Sequence, residues 1–299
     1  PVRFLTGGGC SVQRHGPTPM PAGESCPMSL CPSINGHTRL MAVIGDPIRQ
    51  ARSPTVLTEL FAARKADIIC FPLHVGAPEL ATAWAGLRVM ENLVGFGVTV
   101  PHKQAALGLC DSLDPVAERL GAVNLVRREA DGSFRGYQFD GIGFVGGLRA
   151  QRIDPCGRRC QIVGAGGAAT SVAFALADTG VAEIAILNRD AAKAEALATA
   201  VNDGRQQAVA RAGRIVPSAG DLLINATSLG LRLVDPLPFD TNNLGPGMIV
   251  ADVIAQPEFT PLLAAARDRG AVVHSGLHMI SAQAPVIADC ICHVWATRD

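Results

Sequence analysis

The stretch Gly164-Ala165-Gly166-Gly167-Ala168-Ala169 is suited to one kind of chemistry. Glycines let a main chain approach a pyrophosphate with no Cβ in the way, and a helix starting there offers unpaired N–H groups and a positive dipole end. The flanks supply such a helix. Gln161, Ile162 and Val163 read as the end of a strand; Val172, Ala173, Leu176 and Ala177 recur at helical spacing; Gly180 closes the helix, and Glu183 to Leu187 reads as the next strand. A strand, glycine turn, helix and strand within about 30 residues is a dinucleotide-binding pattern, with a merely structural tight turn as the competing reading. The end of the second strand chooses the dinucleotide. An acid there would bond the ribose 2′-hydroxyl, but the chain has Asn188-Arg189, with Lys193 one helical turn on. Arg189 can take a phosphate bidentately, while Asp190 pulls toward NAD and a solvated Arg189 is the plainer alternative. The expectation is NADP, with NAD as the competitor.

Other chemistry is poorly served. The nine cysteines, an odd number, rule out a complete disulfide framework. Cys156 and Cys160 have no second pair at zinc spacing, and Cys290 and Cys292 fall in an apolar helical segment, so no metal is expected and reduced thiols in a cytoplasm are. The 26 basic and 26 acidic side chains balance, and aromatics are only 4%, which argues against nucleic acid as a partner. The uncharged run Cys160 to Ala177 holds Gln161, three glycines, Thr170 and Ser171, which is no bilayer span. What remains is a soluble protein for a small-molecule ligand, as a monomer or homodimer.

Positioning such groups takes a scaffold, and 299 residues at 48% hydrophobic and 17% charged suffice for two domains with a cleft between them. Residues 1–37, rich in Gly, Pro, Ser and Cys, lack hydrophobic periodicity and are expected to be a disordered extension, with Met28 a candidate start of the folded protein. Beyond them strands and helices alternate: Arg39 to Gly45, a helix from Ser53-Pro54 to Arg64, Ile68 to Leu73, a helix from Pro78 to Val89, Leu93 to Thr99, and a helix from His102. Asn124 to Arg128 and Phe134 to Phe139 flank Asp131-Gly132, predicting a hairpin that gives this first sheet an antiparallel edge.

Within this frame Gly45-Asp46-Pro47-Ile48, Ser53-Pro54, Val98-Thr99-Val100-Pro101-His102-Lys103, Gly121-Ala122-Val123-Asn124, Asp140-Gly141-Ile142-Gly143, Asn225-Ala226-Thr227-Ser228 and Gln283 follow in order. In that series the chain from about Arg39 onward resembles the shikimate dehydrogenase family, quinate/shikimate dehydrogenases included. The resemblance implies an α/β protein of two domains. A substrate domain with a mixed sheet, residues 38–139, is completed by C-terminal helices in 275–299, and a Rossmann domain, 140–274, is inserted between. It implies Lys103 and Asp140 as the catalytic pair, and Ser53, Thr99, Asn124 and Gln283 as substrate contacts. Ala226, Thr227, Ser228, Val253 and Gly276 would form the wall beside the nicotinamide. The chemistry suits the pair, because a hydride added to a ring ketone leaves an alkoxide that needs a proton. Taken alone, Lys103 reads as a surface charge, Asp140 and Ser53 as helix caps, Asn124 as a turn former, Gln283 as a satisfied helix polar group, and Ala226 and Val253 as core.

The departures fall among the substrate contacts. Where the family shows His-Ser-x-Ser-Pro this chain has Gln50-Ala51-Arg52-Ser53-Pro54; the Asn before Val-Thr is Gly97; Asn-Thr before the aspartate is Gln138-Phe139; and the usual tyrosine is Ala255, ahead of Gln256-Pro257. Gln50 and Arg52 flank the gap, the arginine equally readable as a solvent-facing charge. The implied activity is NADP-dependent interconversion of 3-dehydroshikimate and shikimate or a close cyclic hydroxycarboxylate. An NAD-dependent quinate/shikimate dehydrogenase and a silent dinucleotide sensor are the alternatives.

Overall fold

Strands buried on both faces are apolar throughout, and β1 (Arg39–Gly45) has five consecutive buried residues, Met41 to Gly45. In the computed structural model, which describes residues 34–295, β1 is an inner strand of a six-stranded sheet. It is followed by α1 (Ser53–Ala63), β2 (Ile68–His74), α2 (Leu80–Arg88), β3 (Leu93–Val98), β4 (Ser112–Leu113), α3 (Pro115–Leu120), β5 (Leu125–Arg128) and β6 (Phe134–Tyr137). The strand order is β2-β1-β3-β5-β6-β4. β1 runs parallel to β2 and β3, while β5 is antiparallel to both β3 and β6. The hairpin at Asp131-Gly132 forms, with Gly132 at φ +87°, but it does not make the edge: the two-residue β4 pairs parallel to β6 beyond it.

The helix expected from His102 does not form. The carbonyl of Lys103, which a helix would need, accepts the Val123 N–H at 2.8 Å, so the segment turns and yields only a 3₁₀ run at Ala105–Leu109. Gly108 lies in that run, and Cys110 is extended. Residues 1–33, with Cys10, Cys26, Cys31 and Met28, lie outside the described residues; of the expected extension, Asn35 to Thr38 form a hydrogen-bonded turn.

The second sheet is wholly parallel. After α4 (Asp140–Ala150) come β7 (Arg159–Val163), α5 (Gly167–Asp178), β8 (Glu183–Leu187), α6 (Ala191–Asn202), β9 (Ala210–Ala212), β10 (Leu222–Asn225), β11 (Ile249–Asp252), α7 (Pro261–Asp268), β12 (Val272–His274) and α8 (Gly276–Trp295). The order β12-β11-β10-β7-β8-β9 is the doubly wound arrangement, and the winding reverses between β7 and β10. That is where ligands bind in such sheets. Ile162, Leu176, Ile184, Ile186, Leu222 and Ile224 form its core.

α8 returns to the first sheet, where Ala284, Ile287, Ala288, Ile291 and Trp295 pack with Met41, Leu57, Phe61 and Leu125. By length and composition α8 would suffice to cross a bilayer; here this apolar face is buried against protein. The fold class is the expected α/β one.

Candidate active site

Four side chains from four separate parts of the chain meet in one chain of contacts. Gly121, in the left-handed region at φ +61°, ends α3 and turns the chain into Asn124 and β5. Asn124 Nδ2 donates to Asp140 Oδ1 at 2.8 Å and to Gln283 Oε1 at 3.2 Å, and its Oδ1 accepts the Phe139 N–H at 2.9 Å. Asp140 is the first helical residue of α4 and not its cap, the N-cap being Phe139. Its other oxygen, Oδ2, meets Lys103 Nζ at 2.5 Å, and the two side chains are 3% and 14% exposed. Gln138 Oε1 accepts the Asp140 N–H at 2.9 Å. A buried carboxylate so bonded has a fixed orientation, and the lysine beside it can give a proton to an adjacent oxygen and take one back.

Thr99 and Ser53 stand outside this chain. Thr99 follows β3 and is tied by its main chain to Ile44, and Ser53 opens α1; the hydroxyls of both make no hydrogen bond among the described residues.

The glycine turn lies directly against the lysine. A Cβ on Gly167 would sit 3.5 Å from Lys103 Cβ and 3.5 Å from Ala122 Cβ. Gly164 adopts φ +119°, and a Cβ there would come 2.8 Å from the Ala226 carbonyl oxygen, so this position needs glycine twice over. Gly166, the N-cap of α5, has open space before it, leaving the first turn of α5, with Ala168, free for a phosphate. Ala165, Gly166, Asn188, Arg189 and Lys193 line a cavity of about 760 Å³, faced by Arg119 from α3. Arg189 and Lys193 have no carboxylate within ion-pair distance among the described residues, and Asp190 precedes α6 without a side-chain cap bond. These residues fit a dinucleotide carrying a 2′-phosphate.

The segment expected to form the wall is fixed by Asn225, which the ordered motifs carried without a role of its own, and by Asp252, which the sequence alone did not single out. Asn225 and Asp252 end the adjacent strands β10 and β11 in register. Asn225 Nδ2 donates to both Asp252 oxygens at 3.1 and 3.2 Å, and Asp252 also accepts from the Ile254 N–H at 2.9 Å and Thr260 Oγ1 at 2.8 Å. Burial pushes the Asp252 carboxyl up to about 6 against the pull of those donors. The Asn225 Oδ1 accepts from Thr227 Oγ1 at 2.7 Å and from its N–H, fixing the turn Ala226, Thr227, Ser228. Gly276 lies tightly against the end of β11: a Cβ there would fall 2.5 Å from the Val253 carbonyl oxygen. Polar residues closing two apolar strands were the available signal for the Asn225–Asp252 pair.

Comparison with known proteins places two family models on the chain: the shikimate dehydrogenase substrate binding domain over residues 43–126, and shikimate/quinate 5-dehydrogenase over residues 149–236. A shikimate dehydrogenase (NADP(+)) of Rubrobacter xylanophilus is 40% identical over 253 residues, 83% of this chain and 89% of that one. Among solved structures, the ligand-free 5-ketofructose reductase of Gluconobacter sp. strain CHM43 is 33% identical with a TM-score of 0.72, covering 87% of this chain and 94% of that one. Shikimate 5-dehydrogenase from Thermus thermophilus, solved with NADP(H) and shikimate, is 28% identical with a TM-score of 0.75, covering 86% and 95%.

Proposed function

The chain belongs to the shikimate dehydrogenase family, and from that premise we propose that it is an NADP-dependent oxidoreductase interconverting 3-dehydroshikimate and shikimate or a closely related hydroxylated cyclic carboxylate. The observation that carries this reading is the contact of Lys103, itself paired with Asp140, with the glycine turn at Gly167, which brings a proton donor to the edge of a dinucleotide cradle. The nicotinamide, when bound, supplies or accepts the hydride. Lys103 Nζ gives the proton to the ketone oxygen in the reducing direction and removes it from the hydroxyl in the oxidising one. Asp140 holds that nitrogen in place and, with Asn124 and Gln283, positions the ring hydroxyls, while Thr99 and Ser53 lend their free hydroxyls to the rest of the substrate. Gly164 to Ala168 cradle the pyrophosphate, Arg189 and Lys193 take the 2′-phosphate beside Asn188, and Ala226, Thr227, Ser228, Val253 and Gly276 hold the nicotinamide. Residues 38–139 with 275–299 form the substrate domain, and 140–274 the dinucleotide domain. The enzyme works in the cytoplasm, where its thiols stay reduced, as a monomer or homodimer.

The test is direct. Purified protein mixed with 3-dehydroshikimate oxidises NADPH, and NADH far more slowly. Tight NADPH binding without turnover of any cyclic hydroxy acid, quinate included, would instead describe a sensor. A second reading, reduction of an uncharged keto-sugar, is favoured by the hydroxyls missing at Ala51 and Ala255 together with the likeness to 5-ketofructose reductase. Adding 5-ketofructose to the substrate panel decides between them.

A further inference from the structure

Of the two polar side chains beside the Ala51 gap, Gln50 is committed elsewhere: its Nε2 donates to the Pro47 carbonyl at 2.6 Å. Arg52 is exposed, but its guanidinium is held by one partner. Its Nε and Nη2 both reach Gln256 Oε1, at 3.1 and 2.6 Å, joining the segment after β1 to the segment after β11 across 204 residues of chain. Ala51 and Ala255, the two positions with a methyl where a hydroxyl or a phenol would stand, are the immediate neighbours of the bonded pair. The bonded pair therefore ties together the two segments that carry those alanines. It has no carboxylate within ion-pair distance among the described residues.

Two parallel N–H donors fit the two oxygens of a carboxylate, whereas a single amide oxygen accepts both from one atom. Next along the chain is Ser53, with its free hydroxyl, at the positive end of α1. We propose that Arg52 is a specificity-determining residue: it takes the substrate's carboxylate in place of the missing hydroxyls, and Gln256 is its partner when the site is free. On binding, the fork exchanges one neutral oxygen for two charged ones, and Gln256 keeps its own amide donor for the anion. The proposal rests on the reading of the substrate as a cyclic hydroxycarboxylate, and it selects that class over an uncharged ketose.

Shikimate and its methyl ester, an uncharged probe of the same ring, separate the two questions when binding is measured by titration calorimetry and turnover is measured separately. The wild type is expected to bind the acid more tightly than the ester. Arg52→Ala should weaken acid binding and raise the shikimate KM by roughly 10- to 100-fold, the worth of a charge-assisted bond. Ester affinity, NADPH affinity and kcat should stay as they are, and Arg52→Lys should recover part of the loss. Unchanged acid affinity in Arg52→Ala, or an equal loss for acid and ester, overturns the role of Arg52. A wild type that prefers the acid through Arg52 yet turns over no shikimate keeps the carboxylate site and sinks the proposed reaction; a wild type that binds neither probe sinks both.

Discussion

Lys103 and Asp140 are costly to bury, and the cost is tolerable only because each charge meets the other and the second carboxylate oxygen has its own donor in Asn124. Removing one partner should therefore be felt twice. Lys103→Ala is expected to lower kcat by roughly 100-fold or more, as loss of acid/base help does, with NADPH affinity nearly unchanged in a binding titration. It should also lower the melting temperature, because Asp140 is left charged and buried without its cation. Near-normal turnover in the folded variant would take the lysine out of the mechanism. Arg189 calls for a different measurement. Only NADP carries the 2′-phosphate, so Arg189→Ala should weaken NADPH binding about tenfold or more and leave NADH where it was; a wild type that binds NADH more tightly, with Arg189→Ala changing nothing, would mean that Asp190, not the arginine, governs the pocket. These residues were legible because short ordered motifs carry them. The pairing of Asn225 with Asp252 was not, since the two residues lie 27 positions apart and only the strand register of the folded sheet sets them side by side.

Helix α4 brings Asp140 to its place only because glycines let two other helices come close. A Cβ on Gly141 would lie 2.5 Å from the Ser171 carbonyl oxygen of α5, and one on Gly143 would lie 2.8 Å from the Met279 carbonyl oxygen of α8. Main-chain atoms cannot step aside as a flexible side chain can. Gly141→Ala should thus destabilise by about 1–3 kcal/mol through overpacking, and it should lower kcat more than it alters NADPH affinity, because it displaces the turn that holds Asp140. Gly86→Ala is the contrasting case: it lies within α2 with nothing within 4 Å of its Cβ position, so the same change should raise the melting temperature slightly. Equal responses of the two variants in thermal melts would refute the packing argument. Strands β1, β2 and β3 were readable from their apolar runs, and β8 lies where its residues predicted, at Glu183–Leu187, whereas β4 and β9 to β12 were not singled out. The segment after Pro101 misled, because its helical residues are outweighed by a carbonyl committed to Val123, a partner 20 positions away that no local pattern reveals.

At the scale of the whole molecule, two buried groups on neighbouring strands set opposing dependences of stability on pH. Asp252 ends β11 and is raised by burial from 3.8 to about 6. His274 ends β12, is lowered by burial and by the neighbouring His278 from 6.5 to about 4, and has neither ring nitrogen hydrogen-bonded in its buried site. From about pH 4 to 6 the folded chain keeps a proton on Asp252 that the unfolded chain releases, so this contribution is full at low pH and is lost as pH rises. From about pH 6.5 down to 4 the unfolded chain takes up a proton that folded His274 refuses, so this contribution is full above that window and is lost as pH falls. The two slopes offset each other over the shared range. Neither group enters the causes of the other's shift, so single replacements should expose each slope separately. His274→Phe keeps a ring of similar size beside Phe144 and removes two unsatisfied nitrogens. Its gain in melting temperature over the wild type should be largest near pH 4.5 and shrink toward pH 7, about the window set by the His274 shift. Asp252→Asn should fare worse relative to the wild type for its lost acceptor, yet show a melting temperature that climbs more steeply with pH than the wild type does. Thermal melts across that range decide the matter: if both variants keep the wild-type slope, neither group changes its proton affinity on folding, and the pH dependence of this fold must come from its exposed carboxylates instead.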